Sequence, residues 1–230
     1  GYERQSDGSL AVAFEKDGKR ETVVVDTVLV AVGMRPNSKN LGLEKAGVHV
    51  NDRGFVPIDK HGRTNVPSIY AVGDVSGPPL LAHKATKEGE IVAEIIAGHK
   101  AAMDWVTIPG AIFTDPEIAT AGLTEAEAKQ KGHEVSIGKF PFAALGKAMA
   151  MNETEGFVKI VADKKSKQIL GVHIVGPEAS TMISEAALSL EMAAFLDDVS
   201  LTIHPHPTLG EAYMEAAAHA MGHAVHIANR

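Results

Sequence analysis

Hydrophobic and polar positions alternate, or run in β-branched residues, over residues 10–14 and 22–32, with Lys16-Asp17-Gly18-Lys19 between them as a turn. That pattern predicts a strand meander. The run Val28-Leu29-Val30-Ala31-Val32 is apolar on both parities, which predicts a strand buried on both faces and ended by Gly33. A second strand-and-turn pattern covers residues 55–59 and leads to Ile69-Tyr70-Ala71-Val72, followed at once by Gly73-Asp74. Residues 81–96 then repeat small and apolar side chains at helical spacing (Ala82, Ala85, Gly89, Val92, Ala93, Ile96), and Gly98 stands where a helix C-terminal glycine belongs.

After residues 99–104 the pattern changes: from Ile108-Pro109 onward strands and helices segregate instead of alternating, which places a domain boundary near residue 105. Thr124 with Glu127 is a capping-box signature for a helix ending near Gly132. Strands are expected at 135–140, 157–162 and 169–175, the last two joined by the polar turn 163–167. Pro177 introduces a long Ala, Leu and Met helix to about Phe195, and Thr208 with Glu211 caps another to about Ala224.

Composition narrows the function. The charge sum of 22 basic and 29 acidic residues is −7, so a polyanion would meet repulsion, and nucleic acid is not an expected partner. No apolar run approaches the ~18–20 residues of a membrane span. The absence of cysteine excludes disulfides, thiolate metal sites and any thiol redox centre in these 230 residues. Residues 1–7 begin without Met and carry no basic start before an apolar segment, so the chain reads as a piece of something longer, with no signal peptide in view.

Two places could carry chemistry. Asp74 ends a strand-like run beside Gly73, where open sheets bind nucleotides; its carboxylate could accept hydrogen bonds from ribityl or ribose hydroxyls, and is equally readable as a turn-forming Asp. The amides opening the next helix, near Leu81, Ala82 and His83, offer donors and positive partial charge to a polar ligand edge. The second place is His204-Pro205-His206-Pro207-Thr208-Leu209-Gly210-Glu211. Two prolines stiffen the approach to a helix N-terminus, and a carboxylate five residues after His206 could fix the imidazole tautomer and stabilise its cation, as a general acid/base requires. On sequence physics alone the simpler reading is a loop histidine and a capping glutamate. His219, His223 and His226 fall at i, i+4 and i+7 with Glu215 preceding them; a polar rim of an interface helix is the better reading than a metal site, so no metal is expected. His49, His61, His99 and His133 read as surface or loop residues, and Met182, Met192, Met214 and Met221 as packing residues.

Thr64 to Asp74 together with Leu80-Leu81-Ala82-His83-Lys84-Ala85 resembles the second flavin-binding segment of the pyridine nucleotide-disulfide oxidoreductases, in the wording of the members that oxidise dihydrolipoyl groups. The His-x-His-Pro-Thr-x-x-Glu motif, Ile112 to Glu117, Phe140-Pro141-Phe142, Gly156 to Lys159 and Gly171 to Gly176 extend the likeness over nearly the whole chain. One departure is Met34 after Gly33, with Arg35 one place later than the family's Gly-Arg-x-Pro-Asn. The resemblance implies an α/β remnant of nucleotide-binding domains followed by an α+β dimerisation domain, an antiparallel sheet with helices. Residues 1–36 would end the NAD-binding domain, 37–104 form the second part of the FAD-binding domain and 105–230 the interface domain. It implies that Asp74, Leu81, Ala82 and His83 face FAD, that Ala31 and Gly33 lie near NAD, and that His206, oriented by Glu211 and followed by a cis bond to Pro207, is the acid/base acting across a homodimer interface. The implied partners are lipoyl-bearing subunits of 2-oxo acid dehydrogenase complexes, and the implied location is the cytoplasm, or the mitochondrial matrix in a eukaryote. The family's Gly-x-Gly-x-x-Gly fingers and Cys-x4-Cys pair do not occur, so this chain alone is expected to be inactive. A glutathione reductase-like or soluble transhydrogenase-like relative, or a non-catalytic dimerisation module, are the alternatives.

Overall fold

The computed structural model describes residues 1–229, which divide into two compact units between Ala102 and Met103. In the first unit, β1 (Tyr2–Arg4), β2 (Leu10–Lys16) and β3 (Lys19–Val25) form an antiparallel meander in sequence order. Asp17 and Gly18 both take positive φ, 52° and 72°, the geometry whose twist matches a two-residue hairpin, and Lys16 pairs with Lys19 across it.

Residues 28–32 do not form the expected strand. Leu29, Val30 and Val32 are 89%, 72% and 93% exposed, on backbone that is neither helix nor strand. A strand buried on both faces needs neighbours on each side, and among the described residues none pairs with this segment. Residues 55–59 and 69–72 are likewise not a ladder. They are held by turns and one isolated bridge, Arg63 with Tyr70, with Asp59 Oδ1 accepting from the His61 and Arg63 amides. The helix is where its periodicity put it: α1 runs Ala82–Ile96, and Gly98 at φ 88° follows its C-cap.

The second unit is an antiparallel five-stranded sheet backed by helices. Its strands are β4 (Gly110–Ile112), β5 (Ile118–Gly122), β6 (Val135–Pro141), β7 (Phe157–Asp163) and β8 (Ile169–Val175), in the order β4-β5-β8-β7-β6. Its helices are α2 (Glu125–Gln130), α3 (Gly146–Met151), α4 (Ala179–Glu191), α5 (Leu196–Leu201) and α6 (Glu211–Ala220). Thr124 and Glu127 make the capping box of α2 reciprocally. Phe140, Val158, Ile160, Val172 and Ile174 form the core with Ile183 and Leu190 of α4 and Ala212, Ala216 and Ala217 of α6.

The long helix expected to about Phe195 stops at Glu191, and a separate short helix, α5, follows it. Ala193 takes φ 52°, the Ile169 amide donates to Ala194 O (2.9 Å) and the Leu196 amide to Lys167 O (3.0 Å), so pairing with the edge of β8 interrupts the helix. Asp198 then accepts from the Phe195 amide at the start of α5. The helix expected to run to Ala224 stops at Ala220, and Gly222 at φ 79° turns the chain away.

Candidate functional site

The approach to α6 is built by local hydrogen bonds. His204, whose side chain is almost wholly buried, bonds through Nδ1 to Thr202 O (2.9 Å) and through Nε2 to Glu185 Oε1 on α4 (3.0 Å). That pins the loop to the helix beneath it. Thr208 Oγ1 donates to Pro205 O (2.7 Å), and the Thr208 amide donates to Glu211 Oε2 (2.8 Å). The His206–Pro207 bond is cis.

The second oxygen of Glu211, Oε1, lies 2.8 Å from His206 Nδ1. An ionised carboxylate can only accept, so Nδ1 carries the proton and, in the neutral ring, Nε2 carries the lone pair. The expected capping box is not made, since the N-cap of α6 is Gly210 without a side-chain cap and Thr208 Oγ1 donates to Pro205 O; Glu211 instead divides its two oxygens between the Thr208 amide and the His206 ring. His206 is 75% exposed and Glu211 13%, an anchored carboxylate beneath an accessible base. Burial by itself would push the Glu211 carboxyl up, but the Thr208 amide and the His206 imidazole outweigh it and hold the group below the ordinary carboxylate range.

The histidines further on do not share a helical face, because α6 ends before His223. His219 Nδ1 accepts from the Lys139 amide (3.1 Å). His226 Nδ1 bonds to Glu215 Oε1 (2.8 Å), while Glu215 Oε2 accepts from the Val225 amide (3.1 Å). These contacts fold the tail back on α6, and among the described residues no group of three or more His, Cys, Asp or Glu is arranged to hold a metal ion.

In the first unit, Asp74 sits in a single 3-10 turn, Gly73–Ser76, directly after Gly73 at φ 80°. A Cβ at Gly73 would lie 3.2 Å from Ala85 Cβ, so glycine permits both the backbone conformation and the approach to α1. The half-buried Asp74 carboxylate accepts no hydrogen bond from the described residues. Leu81 is the N-cap of α1 and its side chain provides no cap; Ala82 and His83 are exposed beside it. An uncommitted acceptor and a helix start on one unit suit a ligand with hydroxyls and a polar edge. Ala31 and Gly33 stand apart from these on the exposed irregular segment, Gly33 at φ 114°.

Sequence reasoning missed two pairs. Glu185 beneath His204 is one. The other is Lys84 with Glu88, an i, i+4 pair on α1 whose spacing was visible but whose burial was not.

Two family models match: pyridine nucleotide-disulphide oxidoreductase over residues 2–89, and the dimerisation domain of the same family over residues 108–217. The chain belongs to the pyridine nucleotide-disulphide oxidoreductase family. It is 50% identical to a dihydrolipoyl dehydrogenase of Thermus scotoductus, over 100% of this chain and 50% of that protein. It is 49% identical to that of Bacillus subtilis, over 99% and 48%. The chain thus spans about half the length of the curated relatives it matches. Among solved structures it resembles LpdA from Mycobacterium tuberculosis with a TM-score of 0.85 at 27% identity, covering 94% of this chain and 46% of that one. It resembles the HOCl-induced flavoprotein disulfide reductase RclA from Escherichia coli with a TM-score of 0.82 at 26% identity, covering 91% and 48%. Among the described residues no helix is long and apolar enough to cross a membrane.

Proposed function

We propose that this chain is part of a dihydrolipoyl dehydrogenase, which oxidises dihydrolipoyl groups with FAD and NAD+. Residues 1–36 and 37–104 belong to its NAD- and FAD-binding domains, and residues 105–230 to its dimerisation domain. The observation that carries the reading is the His206–Glu211 pair, with Glu211 bonded to Nδ1 of an exposed imidazole, within a chain about half identical to enzymes of that name. His206 Nε2 takes the proton of a dihydrolipoyl thiol as that thiol is oxidised, and returns it to solvent when the cycle closes; Glu211 keeps the ring in the tautomer that can do so. Asp74 would hold hydroxyls of FAD and the residues Leu81, Ala82 and His83 its ring edge, while Ala31 and Gly33 would lie near NAD. FAD, when bound, supplies the two-electron acceptor between thiol and NAD+.

The redox cysteines and glycine fingers lie outside these 230 residues, so His206 and Glu211 would act as half of a site, supplied across a two-fold homodimer to the partner's cofactor. The exposed apolar run 28–32 supports the same reading, since it has the composition of a sheet strand whose neighbours another part of the enzyme provides. The physiological partners are lipoyl-bearing subunits of 2-oxo acid dehydrogenase complexes, met in the cytoplasm or mitochondrial matrix. The test is NAD+ reduction by the intact enzyme with dihydrolipoamide, beside NADPH-dependent reduction of glutathione disulfide. The first is expected and the second is not, His206→Gln should lower the first by roughly 100-fold or more, and the isolated 230-residue chain should show neither. Glutathione disulfide turnover without dihydrolipoamide turnover would overturn the assignment.

A further inference from the structure

Among the described residues, the two buried charged side chains of the first unit are paired with each other. Lys84 and Glu88 have side chains only 6% and 3% exposed and lie 3.1 Å apart, Nζ to Oε1, on successive turns of α1. Their other bonds go to the turn that carries Asp74. Glu88 Oε2 accepts from the Gly73 amide at 2.6 Å. Lys84 Nζ donates to Gly77 O at 2.7 Å and, at 3.4 Å, to Gly73 O and Ser76 Oγ. Ser76 Oγ closes the network, donating to Gly73 O at 2.7 Å and lying 3.3 Å from Glu88 Oε2.

A buried ion pair is not, as a rule, more stabilising than apolar side chains of the same volume, so its presence calls for a second reason. Here the reason is the backbone it grips. The amide and carbonyl of Gly73 and the carbonyl of Gly77 are all drawn toward α1, fixing both ends of the turn. Because the peptide unit is planar with N–H and C=O opposed, holding Gly73 O against Lys84 and Ser76 directs the Asp74 N–H to the opposite side. The helix that supplies the grip also begins at Leu81, Ala82 and His83. The Asp74 turn and that helix start are thereby made one rigid body.

We propose that Lys84 and Glu88 are positioning residues for the flavin site: they hold the Asp74 turn in register with the start of α1, and neither touches the cofactor. This rests on the reading above that Asp74 and the α1 N-terminus hold FAD. Supporting groups of this kind change affinity by roughly 10- to 100-fold when lost in metal sites, and a loss toward the lower end is expected here.

The experiment measures the dissociation constant of FAD for the deflavinated intact enzyme, and the melting temperature of the same FAD-free protein. Lys84→Met or Glu88→Gln alone should raise the dissociation constant and lower the melting temperature, since each leaves a buried partner unsatisfied. The double variant Lys84→Met/Glu88→Leu removes both charges and should recover part of the melting temperature lost by either single variant, the Gly73 amide and Gly77 carbonyl staying unpaired, while its FAD dissociation constant stays roughly 10-fold above wild type. If the double variant does not fold, Ser76→Ala carries the test: a roughly threefold weaker FAD affinity is expected at an almost unchanged melting temperature. A double variant, or failing it Ser76→Ala, that binds FAD as tightly as wild type overturns the positioning role and reduces the pair to a structural one. A wild-type protein that takes up no FAD overturns the underlying reading and this inference together.

Discussion

Replacing Glu211 with Gln tests how the acid/base is held, because it removes one acceptor without changing the size of the side chain. Glu211 has two duties, Oε1 to His206 Nδ1 and Oε2 to the Thr208 amide, each at 2.8 Å. Both partners are donors, and a glutamine has only one oxygen to offer. If its oxygen stays with Thr208, the side-chain amide donates to His206 Nδ1, which puts the ring proton on Nε2 and removes the lone pair that would accept a thiol proton. If the oxygen turns to His206, the tautomer is kept but the side-chain NH2 faces the Thr208 N–H. The productive arrangement then loses a charge-assisted bond worth ~1.5–3 kcal/mol, and Glu211 is buried enough that solvent does not return much of it.

Converted to rate, that loss is roughly 10- to 150-fold in kcat/KM for dihydrolipoamide, up to the scale of the His206→Gln loss but recoverable in part by amide rotation. The assay pairs steady-state kinetics of the intact enzyme with nitrogen-proton correlation NMR of His206, which reads the tautomer directly. Because the carboxyl of Glu211 lies below the ordinary carboxylate range, it stays ionised across the neutral region and is not the group whose titration shapes the profile there. A Glu211→Gln enzyme within twofold of wild type, with Nδ1 still protonated, would refute the tautomer argument.

Three further outcomes concern the unit that carries the dyad. Gly138→Ala would place a Cβ 1.9 Å from Ala216 O, so α6 must back away from β6 by roughly 1 Å or more; a loss at or above the top of the ~1–3 kcal/mol overpacking range is expected in urea unfolding, and less than 1 kcal/mol would show that the helix yields freely. Tyr213 is buried with a hydroxyl that makes no well-formed hydrogen bond among the described residues, Ser189 being near it but not placed to accept well, and burial pushes its pKa up to about 12. Tyr213→Phe should therefore leave the melting temperature unchanged or raise it, and a clear fall would reveal a partner for the hydroxyl. Glu125, bonded to Lys129 (2.7 Å) and Lys159 (2.8 Å), is held down at about 2 by those lysines, Lys129 first. A carboxyl depressed by folding adds stability above its unfolded value that is lost as pH falls through the folded one. Glu125→Gln should therefore lower the melting temperature at pH 6 and converge with wild type between about pH 4.5 and pH 2, and a gap independent of pH would count against the ion pairs.

What could be read from the chain was whatever a few consecutive residues settle among themselves. The Asp17-Gly18 hairpin and the Thr124 capping box are local, and their geometry follows from turn and cap chemistry alone, whereas the loop from His204 to Glu211 combines a local Glu211–His206 bond with a distant anchor on Glu185. What could not be read depended on a partner distant in sequence. β4 and β5 are short and rich in Gly, Ala and Thr, and β5 is a strand because it pairs with β8 from Ile118 opposite Val175 to Gly122 opposite Gly171. The break at Ala193 is set by hydrogen bonds to residues 167 and 169, which helix propensity cannot register. The run 28–32 shows the converse. Its apolar pattern states what surroundings these side chains are suited to, and among the described residues nothing supplies them. Lys84 and Glu88 combine both limits. An i, i+4 pair of opposite charges on a helix is ordinarily a solvated surface pair worth a few tenths of a kcal/mol, and only the closing of the Gly73–Ser76 turn over it converts it into a buried grip on the residue beside a candidate cofactor. Glycine spacing was the one trace of that closure in the sequence: Gly73 and Gly77 bracket the turn, and the side chains that hold it follow Gly77 by seven and eleven residues on the first two turns of the next helix.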